Sequence, residues 1–147
     1  MRLQRLKDDL TRHEGIKLNV YLDTEGLPTV GIGHLLTQEE NKRWHLGDPI
    51  TKEQCDTLFQ KDLDTAIRRT LQLYGCEAFV LLNDARQEVL VNMAFNLGNR
   101  LKQFKRFLAA LKEGDFHRAA DEMVDSKWYR QVKKRRIELV QRMRTGE

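Results

Sequence analysis

The sequence predicts an α+β protein. A small antiparallel β-hairpin sheet lobe near the start is joined by a long helix to a larger all-helical lobe. Three observations predict it. Leu18, Val20 and Leu22 alternate with Asn19, Tyr21 and Asp23, the period of two that suits a strand, and the turn signal Thr24-Glu25-Gly26 follows. From Lys52 onward the apolar residues recur at helical spacing. Five of the nine glycines fall before residue 50, where a small sheet needs turns, and the other four sit where helices are expected to end.

Each element can be justified in order. Leu3, Leu6 and Leu10, with charged residues between them, predict a short amphipathic helix ending near Gly15. The strand over 18–23 follows, and Thr29-Val30-Gly31-Ile32 is its return strand, with the sheet ending near Leu36. Thr37 with Glu40, and Thr51 with Gln54, each have the spacing of a capping box. Cys55, Leu58, Phe59, Leu63, Ala66, Ile67 and Leu71 mark one face of a long helix that stops near Gly75. Asn83 can cap the next, in which Val89, Leu90, Met93, Ala94 and Leu97 face inward before Gly98. Leu101, Phe104, Leu108 and Leu111 mark another helix, Phe116, Ala119, Ala120 and Met123 follow Asp115 as N-cap, and Ile137, Val140 and Met143 mark the last. The reading is one domain over 1–147, with a small lobe at about 13–60 and a large lobe at about 75–147 plus the N-terminal helix. The long helix bridges the lobes, and such junctions favour clefts.

The chain has 147 residues, 40% hydrophobic and 33% charged, which excludes collagen, coiled-coil and disordered classes. A core of this size needs no metal or disulfide staple. No apolar run is long enough for a transmembrane segment, and the N-terminus lacks the apolar core of a secretory signal. Cys55 and Cys76 have no metal-ligand spacing and read as free thiols. Lys and Arg number 26 against 22 Asp and Glu, a net +4 that suits an acidic partner without selecting one.

The densest cluster of chemically capable residues runs from His13 to His34. Glu14 lies at the expected helix end, Asp23 closes the first strand nine positions later, and Thr29 follows the turn six positions after that. Hydrolysis of a glycosidic bond needs two carboxyl groups flanking one linkage, one to protonate the leaving oxygen and one to activate water or attack the sugar. A helix end and a strand end joined by a tight turn can aim two carboxyls at one place. The plainer alternative is that Glu14 is a helix-terminal charge and Asp23 starts a turn.

Arg12-His13-Glu14-Gly15-Ile16-Lys17-Leu18, Tyr21-Leu22-Asp23-Thr24-Glu25-Gly26 and Thr29-Val30-Gly31-Ile32-Gly33-His34-Leu35-Leu36-Thr37 together resemble the phage-type lysozymes, or muramidases, and within them the T-even branch. Phe59-Gln60-Lys61-Asp62-Leu63-Asp64, Asn92 to Gly98, Ser126-Lys127-Trp128-Tyr129 and Arg144-Thr145-Gly146 follow in the family's order. The resemblance implies Glu14 as general acid, Asp23 as the carboxylate that activates water, and Thr29 as the hydroxyl that helps hold that water, with inversion at the anomeric carbon. It implies substrate contacts from Tyr21, Leu35, Phe95 and Asn96, although Phe95 fits the core equally well. Arg135 matches an arginine that positions the acid, and His34 matches a histidine paired with an aspartate, here Asp62. The stretch from His34 to Asp62 is shorter than in the T-even branch, and Asn96 stands where that branch has glutamine.

The implied activity is hydrolysis of the N-acetylmuramic acid to N-acetylglucosamine bond of peptidoglycan, by a monomer with no cofactor and no metal. The implied setting is synthesis in a host cytoplasm and action at the cell wall or periplasm, with release by a separate membrane-disrupting protein. Two alternatives stay open. A lytic transglycosylase cuts the same bond with one acid and no water. A non-enzymatic binder would use the basic residues Arg130, Lys133, Lys134, Arg135, Arg136, Arg142 and Arg144 on an anionic polymer or membrane. No base-reading context accompanies them, so no specific nucleic-acid partner is expected.

Overall fold

A computed structural model describes residues 1–132 and 135–147. Lys133 and Lys134, two members of the basic C-terminal cluster, lie outside the described residues. The chain packs as two compact units, one of Lys7–Thr65 and one of Met1–Leu6 with Ala66–Glu147. The elements are α1 (Leu3–Glu14), β1 (Lys17–Leu22), β2 (Pro28–Gly31), β3 (His34–Leu35), α2 (Gln38–Arg43), α3 (Lys52–Tyr74), α4 (Cys76–Val80), α5 (Asp84–Leu97), a 3₁₀ turn (Gly98–Gln103), α6 (Lys105–Lys112), α7 (Phe116–Val124), α8 (Lys127–Gln131) and α9 (Arg136–Thr145). No described helix is long and apolar enough to cross a membrane.

In the unit of Lys7–Thr65 the three strands form one antiparallel sheet in the order β1-β2-β3. Tyr21 pairs with Thr29 and Thr29 with Leu35, so these three residues form one row across the sheet and share a face. Val30 and His34, the next pair, are both buried. The expected alternation of β1 fails, because Leu18 and Leu22 are exposed and only Val20 is buried. β1 changes register between Lys17 and Tyr21, and its other edge bonds the loop before α3 through Val20 N–H to Asp48 O and Ile50 N–H to Leu18 O. That loop covers an edge that would otherwise be open. Both capping boxes form. Thr37 and Glu40 bond reciprocally, and Thr51 N–H donates to Gln54 Oε1 at 2.8 Å while Gln54 N–H donates to Thr51 Oγ1 at 3.0 Å.

The unit of Met1–Leu6 and Ala66–Glu147 is built around α5, which Asn83 caps by accepting from Arg86 N–H. Ala85, Val89, Leu90, Val91, Met93, Ala94 and Leu97 are all buried, so this helix is enclosed on nearly every side. Three apolar expectations need correcting. Leu3 and Ile137 are exposed. The stretch 98–111 is not one helix. Gly98–Gln103 is a 3₁₀ turn, and α6 buries Phe107, Ala110 and Leu111, which lie at i, i+3 and i+4. The cysteines are free thiols, Cys55 buried and Cys76 exposed.

Glu88 on α5 is fully buried and its charge is matched. Arg142 Nη2 donates to Glu88 Oε1 at 2.6 Å, and Arg2 donates from Nε and Nη2 at 3.0 Å each. Burial alone would raise the Glu88 pKa. The Arg2 and Arg142 hydrogen bonds outweigh it and hold the carboxyl below its usual range. Removing one partner of such a group leaves the other buried and uncompensated. Glu88→Gln is therefore expected to lower unfolding free energy by about 3 kcal/mol, the lower end of what breaking a buried pair costs. A urea titration checks it, and a midpoint unchanged from wild type would contradict the assignment.

Candidate active site

The residues expected to act on substrate in the sheet lobe all fall in the unit of Lys7–Thr65. Glu14 is the last residue of α1 and is partly exposed. Asp23 follows β1 and heads the turn. Its Oδ1 accepts two backbone N–H groups, Glu25 and Leu27, each at 2.8 Å. Its own N–H donates to Leu27 O at 2.9 Å. The plainer role of a turn starter is thus real, and it uses one carboxylate oxygen. Asp23 Oδ2 has no protein partner among the described residues. Thr29 is 4% exposed, and its hydroxyl donates to Leu27 O at 2.9 Å, which leaves Oγ1 as an acceptor.

Electrostatics tie these groups together. The Tyr21 phenol has a raised pKa, first through burial and then through the negative charges of Glu14 and Asp23. Tyr21 therefore stands within the field of both carboxyls. Lys17 Nζ lies over the Tyr21 ring, 4.2 Å from its centroid. Gly33 closes in on Glu14. A Cβ at residue 33 would lie 2.5 Å from Glu14 Oε2 and 2.8 Å from Cδ, and the backbone there has φ +64°. Only glycine lets the backbone approach this carboxyl so closely.

His34 is buried between two acids. Its Nδ1 lies 2.7 Å from Asp62 Oδ2 and its Nε2 2.8 Å from Glu40 Oε1. Burial alone would lower its pKa, but the hydrogen bonds and charges of Asp62 and Glu40 overcome that and raise it. Glu40 also accepts from Thr37 N–H at 2.9 Å, and its carboxyl is held below its usual range against burial. Leu35 is half exposed.

The other expected residues belong to the second unit. Arg135 is 4% exposed and donates to Asn92 Oδ1 at 3.0 Å. Phe95 is half-buried on α5. Asn96 Oδ1 accepts from the buried Trp128 indole N–H at 3.1 Å, and Trp128 meets Phe104 edge-on at 6.5 Å between centroids. Trp128 is thus core, and the Asn96 amide oxygen is engaged by it. Among the described residues no three His, Cys, Asp or Glu side chains are grouped to hold a metal ion.

The family model described as phage lysozyme matches residues 11–147. The chain belongs to the phage lysozyme family. It is therefore a glycoside hydrolase by class. It is 36% identical to the pre-baseplate central spike protein Gp5 of Enterobacteria phage T4, over 93% of this chain and 27% of that protein. It spans only about a quarter of that relative's length. It is 33% identical to the probable T4-type lysozyme 1 of Dictyostelium discoideum, over 96% of this chain and 94% of that protein. The endolysin of Salmonella phage P22 is 30% identical over 76% of this chain and 73% of its own length.

The sequence does not announce the part played by two groups near Glu14 and His34. Glu40 was seen as a capping residue, and that same box turns its carboxyl back toward residue 37 and so toward His34. Nothing local announces what faces Gly33.

Gly33→Ala is expected to abolish most activity, because the new methyl must displace the Glu14 carboxyl. Gly15→Ala supplies the control. It has similar strain, φ +75°, and nothing within 4 Å of the added Cβ. Turbidity clearance that is equal for the two variants at matched folded fraction would contradict a role for the Glu14 contact.

The His34 network fixes a pH window. A raised histidine pKa stabilises fully below the ordinary value of 6.5 and fades as pH rises through the folded value. A lowered Glu40 pKa stabilises above its ordinary 4.5 and is lost as pH falls through the folded value. The network is therefore at full strength between these two ordinary values. Urea midpoints should fall from pH 5.5 to pH 8 in wild type and stay flatter in His34→Gln.

Proposed function

We propose that this chain hydrolyses bacterial peptidoglycan at the N-acetylmuramic acid to N-acetylglucosamine linkage by general acid/base catalysis, with inversion. The observation that carries the reading is the state of Asp23, whose Oδ1 is occupied by two turn N–H groups while Oδ2 has no protein partner among the described residues. A carboxylate fixed through one oxygen and available at the other suits a base that must receive a proton in one direction.

Thr29 extends the argument. With its hydroxyl hydrogen committed to Leu27 O, its remaining lone pairs can only accept. A water that gives one hydrogen to Thr29 Oγ1 and the other to Asp23 Oδ2 directs its oxygen lone pair outward, toward an anomeric carbon. In this reaction Glu14 delivers its proton to the glycosidic oxygen as the bond to carbon breaks. The water oxygen bonds the same carbon from the opposite face and its proton passes to Asp23. The products are a free hydroxyl on N-acetylglucosamine and an inverted hemiacetal on N-acetylmuramic acid. Exchange with solvent then restores the proton to Glu14 and removes it from Asp23. No cofactor enters this scheme.

Tyr21 and Leu35 share the sheet row of Thr29 and supply apolar area beside the polar groups, the pairing that sugar rings need. For Arg135, Phe95 and Asn96 the resemblance implies positioning and binding roles, and Asn96 would offer its amide nitrogen, since its Oδ1 accepts from Trp128. The place of action is the bacterial cell wall.

Glu14→Gln and Asp23→Asn are each expected to lower turnover by about 10²–10⁴-fold, the usual contribution of a positioned acid or base. Asn keeps an acceptor for Glu25 and Leu27 N–H, so Asp23→Asn should retain the wild-type melting temperature. Mass spectrometry of digested peptidoglycan should show reducing N-acetylmuramic acid ends. Anhydro ends would identify a transglycosylase, and undiminished clearance by Glu14→Gln would remove the acid from the scheme.

A further inference from the structure

Charge is divided unequally along this chain. The unit of Lys7–Thr65 has 7 basic and 12 acidic residues, a net −5, whereas the unit of Met1–Leu6 and Ala66–Glu147 has 19 basic and 10 acidic, a net +9. The imbalance is sharpest in two stretches. Residues 98–112 contain Arg100, Lys102, Lys105, Arg106 and Lys112 and no acid, and residues 65–76 contain Arg68 and Arg69 and no acid.

These two stretches meet at a pocket of about 190 Å³. Its rim carries Arg69, Gln72, Asn99 and Lys102, and its floor includes Ala94 and Leu101, both buried. Among the described residues none of the four rim side chains has a hydrogen bond or an ion pair. Two cations and two amides therefore converge on one hollow with their donors uncommitted. A Cβ on Gly98 would lie 3.3 Å from Arg69 Nη1, so the guanidinium rests against a backbone that has no side chain there. The hollow is smaller than the roughly 300–1,000 Å³ of pockets for drug-sized ligands. It has room for one oxyanion group and the carbons next to it, not for an oligosaccharide.

We propose that this pocket anchors a single oxyanion group, phosphate or carboxylate, of an anionic polymer. The guanidinium of Arg69 and the ammonium of Lys102 supply charge-assisted hydrogen bonds, Gln72 and Asn99 complete the donor set, and Ala94 and Leu101 receive the adjoining methylenes. The surrounding positive charge draws the polymer in, and the pocket fixes one of its groups. The site lies outside the residues assigned to bond cleavage, so its function does not depend on that assignment.

The probes are poly(glycerol phosphate), a phosphodiester, and poly-γ-glutamate, a carboxylate, each titrated by calorimetry into the full chain at low salt. The test variant is Arg69→Gln with Lys102→Gln. The control is Lys127→Gln with Arg130→Gln, which removes the same charge elsewhere in the same unit. The pocket pair is expected to weaken binding of at least one polymer by roughly tenfold or more, and the control pair by less than about threefold. The polymer that responds identifies the source of the oxyanion. In a parallel NMR titration, amide resonances of Gly98 and Lys102 should shift in wild type. Equal losses in both variant pairs would mean that diffuse charge alone attracts the polymer. That result, or no binding of either polymer by wild type, would overturn the proposal. Neither polymer is cleaved in the measurement, so its failure leaves the hydrolase reading where it stood.

Discussion

The backbone of Leu27 orders the site. Its N–H donates to Asp23 Oδ1, and its carbonyl accepts from both Asp23 N–H and the Thr29 hydroxyl. One peptide position thereby orients a carboxylate and a hydroxyl six residues apart. The physical requirement is asymmetry. A carboxylate with neither oxygen held would rotate through many orientations, and one with both held would have no lone pair in reserve. The turn restrains one oxygen with two backbone donors, which no surface substitution can remove, and leaves the second to solvent. Thr29 inherits its direction from the same carbonyl, so carboxylate and hydroxyl stay aligned whenever the turn is formed.

Glu14 is positioned from a different direction, through the loop that precedes β3. Its neighbour Gly33 is followed directly by His34, and His34 is held at both ring nitrogens by Asp62 and Glu40. Glu40 is itself fixed by the capping box of α2. The chain of restraint runs from a helix N-terminus to a histidine, from the histidine to the adjacent glycine, and from that glycine to a carboxyl. A buried polar network of this type adds rigidity only while every member has a partner. That explains why a histidine directly after the β2–β3 turn is buried with two acids. One acid would satisfy one nitrogen and leave the other without a partner in a buried place.

What the sequence made legible was local. Caps at Thr37, Thr51, Asn83 and Asp115 could be read because each bonds within three residues of itself. The row of Tyr21, Thr29 and Leu35 was within reach once the hairpin was recognised. What failed was long-range. Leu18 and Leu22 look like the buried half of an alternating strand, but the bulge in β1 and the loop at its outer edge replace that pattern with backbone pairing. Ile137 has the spacing of a core residue and is exposed, while Tyr74, which no periodicity singled out, is buried and its phenol pKa is pushed up by that burial. The second partner of His34 was visible only as a cap. Residue type and spacing specify a turn or a helix end, whereas the identity of the neighbour across space depends on packing that neither encodes locally.

The helical unit shows how such long-range placement can still be specific. Glu88, Asn92 and Asn96 recur at i, i+4 and i+8 on α5, so they form one stripe. Glu88 receives Arg142, Asn92 receives Arg135, and Asn96 receives Trp128. Ascending along α5, the partners descend along the chain, so the C-terminal segment is laid antiparallel on this stripe. Apolar contacts alone would tolerate a slip of one turn, since Leu90, Met93, Ala94 and Leu97 offer similar surfaces at each step. Three different polar pairs would not, because a slip would set an amide against a guanidinium's place and leave Glu88 buried without its cation. The cost of burying a carboxylate is met by two arginines, and the return is a single register for the segment that carries Arg135. The same stripe sets Asn96 beside Trp128, so its amide oxygen is committed within this unit before any ligand arrives.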